Sequence, residues 1–188
     1  RRFAAGGAGL LWFEATAVVE EGRANPRQLW IHAGNVASFA ALVDQTLRTA
    51  PQRPLLVLQL THSGRYSRPG RAPQPIIAHH SRFLDPCHNL PPDYPLISDD
   101  ELERLEDRYV AAAECARRAG FDAVDVKACH RYLVSELLAS HTREGSRYGG
   151  SFENRSRFLR QVAAKIRDRV PDLLVTSRMN VYDAMAHP

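Results

Sequence analysis

Gly120-Phe121-Asp122-Ala123-Val124-Asp125-Val126-Lys127-Ala128-Cys129-His130-Arg131-Tyr132 is the stretch that decides the fold. Phe121–Lys127 reads as a strand. The residues before it, Asp99–Ala119, read as a helix with Ser98 as N-cap and Gly120 as the residue that closes it. Working outward, the same alternation recurs. Leu10-Leu11-Trp12-Phe13 and Leu55-Leu56-Val57-Leu58-Gln59-Leu60 are continuous apolar runs that suit strands covered on both faces. Between them, Phe39, Leu42, Val43 and Leu47 recur at helical spacing within Val36–Ala50, which Pro51 and Pro54 end. Ser151–Val170 reads as a helix and Leu173–Met179 as a strand, while Phe3–Gly7 reads as the end of a helix. Helix and strand alternate without a hairpin signal, which predicts an α/β fold with parallel strands.

The segment Tyr66–Pro95 breaks this rhythm. It carries seven of the chain's 12 prolines and the adjacent His79 and His80, and it reads either as a lid or as a solvated linker. Neither the two histidines nor Cys87-His88 has a second ligand set at metal spacing, so no metal site is expected.

The 188 residues suit one domain. A net charge of +4 from 25 basic and 21 acidic residues, interspersed without a basic block, argues against nucleic acid as a partner. No apolar run reaches the roughly 18 residues of a membrane span. Cys87, Cys115 and Cys129 fit no disulfide or zinc framework, which points to a reducing cytoplasm. The first residues lack a Met and a signal peptide, so the chain reads as the inside of a longer gene.

Two architectures suit successive βα units. A dinucleotide-binding sheet needs a G-x-G-x-x-G turn, and no strand here is followed by one. Polar residues gather instead at strand C-termini: Glu14 and Thr16, Gln59 and His62, Lys127 and His130, Arg178 and Asn180. That is the chemical rim of a (β/α)8 TIM barrel, of which four strands are about half. In the strand Phe121–Lys127, Asp125 and Lys127 share a face. They suit a structural ion pair, or else a desolvated Lys127 able to form a Schiff base as in a lyase or aldolase. His130 and Tyr132 follow beyond the strand, where one can hold a carbonyl and the other can supply a proton.

Gly120–Leu133, followed by Arg147-Tyr148-Gly149-Gly150-Ser151-Phe152-Glu153-Asn154-Arg155, resembles the NADH:flavin oxidoreductases of the old yellow enzyme and 2,4-dienoyl-CoA reductase group. Leu58-Gln59-Leu60-Thr61-His62-Ser63-Gly64-Arg65 and Glu14-Ala15-Thr16-Ala17-Val18 match collinearly. The resemblance implies that the chain carries barrel strands two to five of an FMN-binding domain, truncated at both ends. It implies FMN as cofactor and NADH or NADPH as reductant of an activated, α,β-unsaturated alkene. By position, Gln59 meets the flavin pyrimidine edge, Arg178 its N1–O2 region, and Ala15 approaches through its backbone. His130 grips the substrate oxygen, Tyr132 protonates Cα, and Lys127 stands where the family carries a His. Thr61 replaces a bulky aromatic of some members and implies a roomier substrate pocket.

Tyr148–Arg155 has a largely structural reading, since its glycines allow a tight turn and Ser151 caps a helix. The family's phosphate anchor follows later strands, and some members append a 4Fe-4S domain. The 188 residues alone are therefore expected to lack stoichiometric FMN and ene-reductase activity. Open edges are also expected to promote association between copies. Non-catalytic service as a barrel piece is the remaining alternative.

Overall fold

A computed structural model describes residues 1–182. A short helix, α1 (Arg2–Ala5), precedes β1 (Leu10–Ala17). The chain continues through α2 (Val36–Thr49), β2 (Leu55–Thr61), α3 (Leu84–Cys87), α4 (Asp99–Ala119), β3 (Ala123–Val126), α5 (Leu133–Leu138), α6 (Phe152–Arg169) and β4 (Leu174–Thr176). The four strands form one parallel sheet in the order β1-β2-β3-β4. This is the curved wall of part of a (β/α)8 barrel. No helix among the described residues is long and apolar enough to cross a membrane.

Local chemistry explains the long helices. Ser98 accepts from the Glu101 amide while the Glu101 carboxylate accepts from the Ser98 amide, a capping box that opens α4. Gly120 closes it at φ 96°, a conformation that strains any residue with a Cβ. Ser151 caps α6 through the Asn154 amide.

Strand alternation divides the sheet into two faces. Leu56, Leu58 and Leu60 of β2 and Val124 and Val126 of β3 point outward and are buried under the helices. Phe13 joins them edge-on to Phe121, with ring centroids 5.1 Å apart. Burying each such side chain contributes about 1.5–3 kcal/mol. On the other face, Trp12, Val57, Ala123 and Leu174 lie in register as one transverse row, with Gln59, Asp125 and Thr176 in the row above. The lower row is partly bare: Trp12 is 45 % and Leu174 59 % exposed.

Residues 66–95 are anchored at several points by buried polar contacts, while residues 70–74 and 91–93 stay exposed. The fully buried Arg65 donates to Asp85 and Glu136, 2.5 Å each, and to the His79 carbonyl at 2.9 Å. Glu136 also accepts from the Ala78 amide, and His80 Nδ1 contacts Asp85 at 2.8 Å. Arg143 donates to the carbonyls of Ala78 and Ile97, tying the far end of the segment down.

The signature around Gly149 is structural. Tyr148 donates its hydroxyl to buried Glu106 at 3.0 Å, and Arg155 donates to the carbonyls of Gly150 and Leu138. A Cβ on Gly149 would lie within 2.4 Å of the Arg143 carbonyl oxygen, so only glycine lets the two segments approach.

Candidate active site

At the C-terminal end of the sheet, β1 departs from regular pairing. Phe13 faces Leu58 and Thr16 faces Leu60, leaving Glu14 and Ala15 together opposite Gln59. This bulge turns the strand at the rim. The Thr16 hydroxyl fastens it by donating to the Glu14 carbonyl. A cavity of about 660 Å3 opens beside it, walled by Glu14, Ala15, Gln59, Lys127, His130 and Arg178. Ala15, Gln59, Lys127, His130 and Arg178, singled out from the sequence, therefore share one space, contributed by β1, β2 and the segments that follow β3 and β4.

Gln59 is oriented by Asp125. Its Nε2 donates to Asp125 Oδ1 at 2.6 Å. A carboxylate only accepts, so this bond fixes which end of the amide is which and leaves Oε1 as an acceptor at the cavity. The expected Lys127–Asp125 ion pair does not form among the described residues. In the parallel register Gln59 lies directly opposite Asp125, nearer than the residue two further along the same strand. Lys127 Nζ instead sits 3.9 Å from the centroid of the Tyr132 ring, a cation–π contact. Burial lowers the Lys127 pKa, and burial raises that of Asp125 against the pull of Gln59 and nearby cations. Asp125 Oδ2 is buried without a geometrically sound hydrogen bond among the described residues.

Tyr132 adjoins the cavity through Lys127 rather than lining it. Its ring packs 5.7 Å from Tyr66, which in turn meets His88 of the 66–95 segment at 5.0 Å. Burial raises the phenol's pKa, opposed by a hydrogen bond with Ser63, so at neutral pH it holds its proton. His130 and Arg131 carry φ angles of 63° and 56°, which project the His130 ring from a left-handed corner. Ala15 presents its backbone, but its carbonyl already accepts from Gln28 Nε2 at 2.7 Å. Thr61 is, after Tyr132, the second expected residue that does not line this cavity. It is fully buried, pairs with Ala17 and lies outside this cavity wall. Val18, donating to the Thr61 carbonyl, carries the chain over that strand end.

The His62–Arg65 stretch has structural work beside the site. His62 Nδ1 accepts from the Gly64 amide at 3.0 Å, and Gly64, at φ 59°, passes so close to Leu133 that a Cβ would lie 2.7 Å from its nitrogen. Burial drives the His62 pKa down to about 4. The unfolded chain takes up this proton near pH 6.5 and the folded chain only near 4. Stability from this group is therefore complete above pH 6.5 and falls as the pH drops, by about 3 kcal/mol at pH 4. Urea unfolding at pH 7 and pH 4.5 should show this slope in the parent chain and a flatter one in His62→Asn.

The sequence profile of the NADH:flavin oxidoreductase / NADH oxidase family matches residues 1–187. The chain belongs to this family. An NADPH dehydrogenase of Halalkalibacterium halodurans is 32% identical over 164 residues, covering 87% of this chain and 46% of the relative. An NADPH dehydrogenase of Clostridium acetobutylicum is 30% identical over 168 residues, covering 88% and 47%. The chain thus spans about half the length of the curated relatives it matches. Among solved structures, the old yellow enzyme homologue from Zymomonas mobilis superposes with a TM-score of 0.74 at 28% identity, over 93% of this chain and 52% of that one. Morphinone reductase superposes with a TM-score of 0.75 at 24% identity, covering 94% and 52%, a likeness of fold. As a member of the NADH:flavin oxidoreductase family, the chain carries its candidate site on the barrel rim.

Sequence reasoning missed Asp125 as the partner that orients Gln59, and missed Ser63 and Tyr66 around Tyr132. The first had a signal, since both residues occupy inward positions on neighbouring strands. The other two depend on how the turn after β2 meets the loop after β3, which no local pattern announces.

Proposed function

We propose that this chain forms the substrate-side part of an FMN-dependent oxidoreductase that uses NADH or NADPH to reduce an electron-poor alkene conjugated to a carbonyl. The observation that carries this reading is the single cavity shared by Ala15, Gln59, Lys127, His130 and Arg178. Their donor set suits a flavin ring. The free Gln59 Oε1 can accept from a pyrimidine N–H, Arg178 supplies positive charge, and the Ala15 backbone offers a flat approach.

Bound there, FMN supplies the hydride chemistry that no side chain provides. The protein's own residues supply the rest. His130 donates to the substrate carbonyl oxygen, and the cationic Lys127 adds charge beside it, which together stabilise negative charge building on that oxygen. Tyr132 holds its phenolic proton at neutral pH and delivers it from Oη to the carbon next to the carbonyl. Tyr66 and the 66–95 segment cover the Tyr132 ring and limit access of water.

A full-length protein carrying this segment should bind FMN, and Arg178→Ala together with Gln59→Ala should weaken the complex, read by flavin fluorescence quenching. A colourless full-length protein whose Lys127 is trapped by borohydride with a carbonyl substrate would replace this reading with a Schiff-base lyase. The substrate is a small molecule in either case. Association between copies, a cytoplasmic setting and a 4Fe-4S cluster held by residues outside this chain remain parts of the proposal.

A further inference from the structure

His62 belongs to a motif at the strand rim, yet it lines a different space. That second cavity, about 490 Å3, lies between the 66–95 segment and its continuation to Ile97 on one side and α4 on the other. Its lining is mixed: Val19, Ile76, Leu96 and Leu105 supply apolar surface, and charged side chains of α4 supply polar surface.

His62 is only 2 % exposed. Its Nδ1 accepts from the Gly64 amide, which places the ring proton on Nε2. Nε2 has no hydrogen-bond partner among the described residues, and His62 is one of the residues that line the cavity. A neutral imidazole N–H without a protein partner recognises an oxygen acceptor, such as a carbonyl or a carboxylate.

The mouth selects between these. Arg104 and Arg108, one turn apart on the same face of α4, both line the cavity; neither forms an ion pair within 4 Å among the described residues, and Arg104 acts on the Glu101 carboxylate only at longer range. Two acidic groups also line it. Glu101 is committed to the α4 cap, accepting from the Ser98 amide and hydroxyl at 2.8 and 2.6 Å, whereas Glu21 is exposed at the rim. Tyr94 gives its hydroxyl proton to the Pro75 carbonyl and competes for no ligand.

We propose that this cavity is a binding site for a small organic carboxylate with a short apolar or aromatic body. The carboxylate accepts from His62 Nε2–H inside and from Arg104 and Arg108 at the mouth, while the body lies against Ile76, Leu96 and Leu105. The site is separate from the cavity of Gln59 and Lys127 and needs no flavin, so it stands or falls independently of the reading above.

Benzoate titrated into the full-length protein carrying this segment tests it, by calorimetry and by the ring resonances of His62. One saturable site that shifts the His62 signals is expected. Benzamide should bind more weakly, since it lacks the charge. Arg104→Ala with Arg108→Ala should weaken benzoate about tenfold or more, the scale of one charge-assisted hydrogen bond. His62→Asn keeps an acceptor for the Gly64 amide but loses the Nε2 donor, and should weaken benzoate to a similar degree. Absence of saturable binding, or undiminished binding in the double arginine variant, would overturn the proposal. Should His62→Asn fail to fold, the arginine variant decides alone, because both of its positions are on the surface.

Discussion

Arg65→Met is expected to destabilise the fold by about 3–5 kcal/mol, the cost of leaving buried charges without their partner. Arg65 is fully buried and donates to two carboxylates and a carbonyl. Without it, Glu136 keeps a contact to the Ala78 amide but loses its counter-charge, and burial has already raised its pKa to about 6. Asp85 loses one of the partners that hold its pKa low, although desolvation is the largest influence on it and acts the other way. Urea unfolding at pH 7 measures the loss, and limited proteolysis should find new cleavage within residues 66–95. A variant as stable as the parent, with that segment still protected, would show that the loop is held by its apolar contacts instead.

Tyr132→Phe in a full-length protein should slow alkene reduction by about 10²–10⁴-fold, the usual worth of a placed general acid. The ring stays, so its packing with Tyr66 and its contact with Lys127 stay. Only the phenolic proton is lost. Reduction of the flavin by nicotinamide needs no such proton and should keep its rate. Stopped-flow measurement of the two half-reactions separates them, and equal impairment of both would remove Tyr132 from the role of acid.

Features written into short stretches were legible before any coordinates. The helix Asp99–Ala119 is found with those bounds because Ser98 and Gly120 mark both ends chemically. Strand β1 runs four residues past its apolar run, to Ala17, because pairing continues beyond the bulge under the cover of the next loop. Strands β3 and β4 are shorter than their apolar patterns, since pairing stops before hydrophobicity does. Leu133–Leu138, six residues long, is too short to show a helical period.

The order in residues 66–95 is also invisible locally, because it comes from side chains reaching in from outside: Arg65, Glu136 and Arg143. The site followed the same division. Alternation places Gln59, Asp125 and Lys127 on one face, but only register decides that Asp125 takes Gln59 as partner.

The left-handed pair His130–Arg131 sets up a conflict between robustness and aim. Two consecutive residues bearing Cβ atoms at positive φ cost about 1–3 kcal/mol each, a penalty that glycine would largely remove. Optimising the chain for heat resistance alone would therefore drive this corner toward glycine. The gain would come with a looser backbone under the imidazole and, at position 130, with no imidazole at all. Durability and marksmanship pull this corner in opposite directions, and the present residues settle the contest for marksmanship.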